Sequence, residues 1–109
     1  MFDYHKTMET VELAKIFKAL SNEQRLNLFK MLYQWNSEAE GEEYVCYDGV
    51  DRCFTKACCS LPLSRSTVSH HFKELQNAGL ITVTRSGQCF CCKINQDAVQ
   101  AIRDFLKAL

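Results

Sequence analysis

Residues 63–88 read LSRSTVSHHFKELQNAGLITVTRSGQ, and this stretch decides how the rest of the chain is understood. Ser64 is suited to cap a helix beginning at Arg65, because its hydroxyl can accept a hydrogen bond from an amide left unpaired in the first helical turn. At about 100° per residue Val68, Phe72 and Leu75 fall in one narrow sector with His71 beside them, so that side is expected to face a core. The opposite sector collects Ser66, Ser69, His70 and Lys73, flanked by Arg65 and Thr67, with no acid and no large apolar group. Short hydroxyls beside cations suit a DNA groove, where Arg and hydroxyls contact phosphates and base edges and Lys adds charge. The plainer alternative is a solvated helix face.

The helix is expected to end at Ala78-Gly79, with Gly79 in the left-handed conformation that closes helices. Residues 80–85 and 88–94 then read as strands joined by a Ser86-Gly87 turn. Pairing about that turn sets Val83 across from Phe90 and Ile81 across from Cys92 on the inward face. It sets Thr84 across from Cys89 and Thr82 across from Cys91 on the outward face. Arg85 and Lys93 flank the hairpin, and its polar tip, Arg85 to Gln88, has the character of a wing that lies along a phosphate backbone.

Working outward, Leu13, Ile16, Phe17 and Leu20 repeat at helical spacing, which predicts a first helix over about 7–20. Ser21 opens S-N-E-Q, a capping-box pattern in which Gln24 reaches back, and Leu28, Met31, Leu32 and Trp35 carry a second helix to about residue 35. Residues 36–51, NSEAEGEEYVCYDGVD, are acidic and without a sustained period, so a surface loop is expected. Phe54, Ala57, Cys58 and Leu61 predict a short third helix over 52–61, closed by Pro62. After Asn95 a last helix carries Ala98, Ile102, Phe105, Leu106 and Leu109 as its apolar stripe. The order is α-α-α-α-β-β-α: a mainly α chain with a β-hairpin wing.

At 109 residues the chain is one domain's worth, and 47% apolar with 24% charged residues, four Gly and one Pro is an ordinary globular composition. No apolar run approaches the roughly 18 residues of a membrane helix, and acids occupy the N-terminus where a signal peptide needs apolar residues. A soluble, cytoplasmic protein without a membrane partner is expected. Net charge is zero, but residues 1–51 carry five Lys/Arg against ten Asp/Glu and residues 52–109 carry eight against three. The basic half keeps a nucleic-acid partner in view.

Residues 13–32, LAKIFKALSNEQRLNLFKML, together with the 63–88 stretch, resemble the ArsR/SmtB family of bacterial metal-responsive winged-helix repressors. The likeness covers nearly all of residues 10–109, and STVSHHFKEL followed by NAGLI is its most specific part. It implies a winged helix-turn-helix with the helix-turn-helix over 53–77 and a wing over 81–94. It also implies a homodimer joined through the first and last helices, and repression relieved by an inducer. Carried over, the DNA-reading positions are Arg65, Ser66, Thr67, Ser69 and His70, with Arg85 and Gln88 on the wing; Lys73 joins them from the polar sector. Arsenite-sensing members often have C-V-C in the third helix. Here Cys53 matches its first cysteine while Thr55 stands at the second, or else Val45-Cys46 falls on the motif and an insertion follows. Zinc sensors of the family place an Asp, two His and a Glu on the last helix; this helix has Asp97 and Asp104 but no His, so that site is expected to be absent.

Seven cysteines are an odd and high number for a reducing compartment, where thiols serve as small apolar residues, metal ligands or redox centres. Strand alternation makes Cys92 a core residue and leaves Cys89 and Cys91 outward, about 6 to 7 Å apart. In the third helix Cys58 belongs to the apolar sector, Cys53 to its flank and Cys59 to the outside, and Cys46 lies in the acidic loop. Exposed thiols are liabilities that proteins avoid without a use, so Cys46, Cys53, Cys59, Cys89 and Cys91 are the candidate metal ligands. Thiolates select arsenite, Cu(I), Zn(II) or Cd(II) as inducer, with no organic cofactor. Oxidation or persulfidation is the rival chemistry. A cysteine-dependent enzyme would need a histidine holding a thiolate, yet His70 and His71 lie on the helix assigned to DNA, so no enzyme is expected. The expected function is a dimeric repressor, bound to operator DNA and released by thiol chemistry.

Overall fold

The computed structural model describes residues 10–38, 57–86 and 89–109, leaving aside the side chains of 37, 38, 85, 86 and 89–91. The elements are α1 (Thr10–Leu20), α2 (Glu23–Glu38), α3 (described over 57–60), α4 (Arg65–Asn77), β1 (Ile81–Ser86), β2 (Cys89–Ile94) and α5 (Gln96–Lys107). The expected order is present: helices first, an antiparallel hairpin, then a closing helix. Residues 7–9, the 39–51 part of the acidic loop and the 52–56 part of the third helix lie outside the described residues.

The stripe of α1 buries Ile16 and Ala19, with Leu13 and Leu20 half-covered. At the α1–α2 corner the expected capping box on Ser21 and Gln24 is not what forms. Ser21 Oγ donates to the Lys18 carbonyl at 2.7 Å and so closes α1, while Asn22 Oδ1 accepts from the Arg25 amide at 3.0 Å and opens α2. Only Ser21 and Asn22 separate the helices, so one side chain serves the outgoing carbonyls and the next the incoming amides. α2 also continues to Glu38, taking in residues 36–38 that the sequence pattern assigned to the loop. Asn36 is useful there because its Oδ1 accepts the Ile94 amide of β2 at 2.8 Å, a partner 58 residues away.

The core gathers Ile16, Leu28 and Leu32 from α1 and α2, Val68, Phe72 and Leu75 from α4, and Leu80, Ile81, Cys92 and Ile94 from the hairpin. Cys92 is 4% exposed, as strand alternation predicts. The register, however, differs from the expected one by two residues: Ile81 pairs with Ile94, Thr82 with Lys93, Val83 with Cys92, Thr84 with Cys91, Arg85 with Phe90 and Ser86 with Cys89. Ser86 is therefore a strand residue and not part of the turn; Gly87 and Gln88 lie outside the described residues. The base of the hairpin accounts for this register. Ile81 and Ile94 bury each other there, the Asn95 amide donates to the Leu80 carbonyl at 2.9 Å, and Asn95 Nδ2 donates to the Gly79 carbonyl at 2.7 Å. Because the shift is even, no side chain changes face, and the inward place of Cys92 survives.

α5 is capped by Asn95, whose Oδ1 accepts from the Asp97 amide at 3.1 Å. It buries Ala98 and Val99 but leaves much of its expected stripe in the open: Phe105, Leu106 and Leu109 are 39%, 59% and 87% exposed. Phe17 of α1, also 39% exposed, lies against Phe105 with ring centroids 5.5 Å apart and planes tilted by 58°. Among the described residues no helix is long and apolar enough to cross a membrane.

Candidate nucleic-acid interface

α4 starts where the sequence places it. Ser64 is extended, with φ −67° and ψ 156°, and its Oγ accepts from the Thr67 amide at 3.2 Å. The same oxygen lies 3.1 Å from Ser66 Oγ and 2.8 Å from Thr67 Oγ1. Three hydroxyls are thereby gathered on the positive end of the helix, where amide dipoles favour an anion such as a backbone phosphate. The helix stops at Ala78, and Gly79 takes φ +78°, a left-handed conformation that costs a residue with a side chain roughly 1–2 kcal/mol.

The two faces of α4 separate cleanly. Val68, His71, Phe72 and Leu75 are buried, whereas Arg65, Ser66, Ser69, His70 and Lys73 are exposed on the other side. Thr67 is half-buried, with its hydroxyl drawn toward the cap. On the hairpin Thr82, Thr84 and Lys93 are exposed, with Thr82 and Lys93 directly paired, so hydroxyls and a cation continue on its outward face. Arg85 stands in β1 opposite Phe90; its side chain, like Gln88, lies outside what is described.

His71 is the one buried polar side chain of the described residues, at 6% exposed. Its partner is not local. Arg25 of α2 sets its guanidinium between α1 and α4, donating from Nε to the Ala19 carbonyl at 2.6 Å and reaching His71 Nδ1 with Nη1 at 3.4 Å. Burial, then the Arg25 charge, then His70 push the His71 imidazole below the ordinary histidine range, and Glu74 opposes them. No sequence signal joins positions 46 apart, so this contact was not legible before the fold.

Of the candidate thiol ligands, Cys59 is exposed on α3, five residues before Ser64, and Cys58 beside it is half-buried against the core. Cys46 and Cys53 lie outside the described residues, and Cys89 and Cys91 are placed only as strand positions opposite Ser86 and Thr84. Among the described residues no three His, Cys, Asp or Glu side chains come together as a metal site.

The comparisons with known proteins agree with this geometry. A family model described as bacterial regulatory protein, arsR family, matches residues 49–83, which include the whole of α4. The HTH-type transcriptional regulator YbzH of Bacillus subtilis (strain 168) is 33% identical over 105 residues, covering 92% of this chain and 97% of its own. Among solved structures, an ArsR-like transcriptional regulator from Rhodococcus sp. RHA1 superposes with TM-score 0.64 at 22% identity, over 90% of this chain and 78% of that one. HlyU from Vibrio cholerae N16961 superposes with TM-score 0.60 at 23% identity, over 91% and 94%. With a helix-turn-helix that the family model matches and a relative one-third identical nearly end to end, the chain belongs to the ArsR family of DNA-binding transcriptional regulators and is not an enzyme.

Proposed function

We propose that the chain acts as a homodimeric repressor in the cytoplasm, in which α4 reads an operator and a soft metal or metalloid ion, bound by cysteine thiolates, causes release. The observation that carries this reading is the two-faced α4: an apolar side anchored in the core and an acid-free side of Arg65, Ser66, Ser69, His70 and Lys73 open to a groove. Arg65 and Lys73 supply phosphate contacts, and Ser66, Ser69 and His70 lie where base edges are read, with Thr67, Arg85 and Gln88 completing the set.

Dimerisation is supported by the outward faces of α1 and α5. Val11, Phe17, Phe105, Leu106 and Leu109 leave more apolar area open than a small soluble protein keeps without a partner. A two-fold pair of such chains would present two α4 helices to successive half-sites.

For the inducer, the supporting features are the exposure of Cys59 and its place just ahead of the α4 cap. A ligand drawing Cys59 toward Cys53 or Cys46 would pull on α3 and tilt α4, and a coupling of about 1–3 kcal/mol lowers DNA affinity 5- to 150-fold. Cys89 and Cys91 form a second candidate pair. The ions that suit such donors are arsenite, Cu(I), Zn(II) and Cd(II). Oxidation or persulfidation is the second reading, favoured by the solvent access of Cys59. The deciding experiment titrates reduced protein on DNA with each ion and, separately, with peroxide or a persulfide donor. Release by an ion under reducing conditions supports metal sensing, and release by oxidant alone supports the redox reading. Release by neither, or unchanged release after Cys46, Cys53, Cys59, Cys89 and Cys91 are all replaced by Ser, places the inducer elsewhere.

A further inference from the structure

The contact between Arg25 and His71 is the feature of the molecule that DNA recognition and thiol chemistry leave unused. Arg25 is a bridge across three helices: it stands on α2, its Nε holds the Ala19 carbonyl of α1, and its Nη1 faces His71 Nδ1 on α4. Guanidinium nitrogens only donate, so His71 meets Arg25 as the neutral ring with an unprotonated Nδ1 and its proton on Nε2. His71 is enclosed by the core beside Val68, Phe72 and Leu75, while its chain neighbour His70 stands on the face assigned to DNA, ring centroids 6.0 Å apart. With His71 6% exposed, its ring has core neighbours and not solvent around it, on the helix that also carries His70 and Lys73.

We propose that Arg25 and His71 are positioning residues for DNA reading: the bridge from Ala19 to Nδ1 sets the orientation of α4, and proton uptake at His71 loosens that setting and with it specific DNA binding. The proposal rests on α4 being the DNA-reading helix. Protonation turns Nδ1 from an acceptor into a donor and sets a second cation about one contact distance from the guanidinium, in a site with little water to screen it. The ionisable groups acting on His71 are Arg25 from α2 and, from its own helix, His70 and Glu74. Arg25 and His70 disfavour the charged ring and Glu74 favours it, but burial leads the balance toward the neutral form. The unfolded chain therefore takes up this proton more readily than the folded one. The stability that the neutral ring contributes is full above the ordinary histidine value of about 6.5 and is lost as pH falls below it.

The test uses a duplex enriched by the wild-type protein from a random-sequence pool, with a scrambled duplex as the non-specific reference. For the wild-type protein the ratio of specific to scrambled affinity is expected to fall severalfold as pH is lowered from about 7.5 to well below the ordinary histidine value of about 6.5. His71→Asn, which keeps an acceptor where Nδ1 stands and cannot be protonated in this range, is expected to abolish that fall. Arg25→Met is expected to shrink it by removing the opposing cation. Circular dichroism at both pH values identifies any variant that has unfolded. Nitrogen chemical shifts of the wild-type imidazole provide a reading that needs no variant: a ring protonated on Nε2 alone at neutral pH is expected, and a proton on Nδ1 overturns the proposal. An acid response that persists in His71→Asn overturns it as well. If Arg65→Ala with Lys73→Ala leaves specific binding intact, the assignment of α4 to DNA is at fault, whereas the imidazole shifts judge the Arg25 contact separately.

Discussion

Removing the two exposed cations of α4, by Arg65→Ala with Lys73→Ala, should reduce the salt dependence of DNA binding by a calculable amount. Each neutralised phosphate contributes about 0.9 to the slope of log affinity against log salt. Two cations on each of two α4 helices in a dimer make four contacts, so the slope should become shallower by about 3.6. Over a fourfold rise in salt, from about 50 to 200 mM, wild-type affinity should then fall about 150-fold further than that of the variant. A protein that engages DNA through one protomer would show about half that change in slope, so the same data report how many α4 helices are used. Both residues are exposed and Ala is a good helix former, which means that the fold should be retained. Fluorescence anisotropy of a labelled duplex across a salt series measures the slopes, and thermal melting checks the fold. Equal slopes for the two proteins would refute the placement of this face on the phosphate backbone.

Other substitutions address the remaining parts. Ser64→Ala removes the acceptor of the Thr67 amide and should cost about 1 kcal/mol, lowering the melting temperature by roughly 4–8 °C, whereas Ser64→Asp should keep it; equal melting of all three would deny the cap its role. Cys92→Ser places a hydroxyl in the core and should cost about 1–3 kcal/mol in denaturant unfolding, while Cys59→Ser at an exposed position should cost almost nothing. If Cys59 couples the inducer to α4, Cys53→Ser with Cys59→Ser should bind DNA normally and resist release by arsenite. Phe17→Asp with Leu106→Asp should convert a dimer into a helical monomer in sedimentation, and a wild-type monomer at micromolar concentration would contradict the proposed interface.

What could be read from the chain alone was decided within a turn or two of helix, although the equally local Ser21 corner closes α1 and does not cap α2. The 64–77 segment carries its own cap, its own apolar stripe and its own stop at Gly79, and all three appear where local spacing puts them, because each depends on atoms a few residues apart. The inward place of Cys92 was legible for a similar reason, since alternation along a strand survives an even shift of register. The likeness to the family was likewise carried by that segment and by residues 13–32. Tertiary structure decided the rest. The hairpin register is held at its base, where Ile81 pairs with Ile94 and Asn95 donates to the Gly79 carbonyl. Helix α2 runs on to Glu38 with its Asn36 holding a β2 amide. His71, which helical spacing places beside the core sector, is enclosed and meets Arg25 from another helix. Each of these outcomes depends on groups that only packing brings together, where many pairings of similar local energy compete and burial selects one.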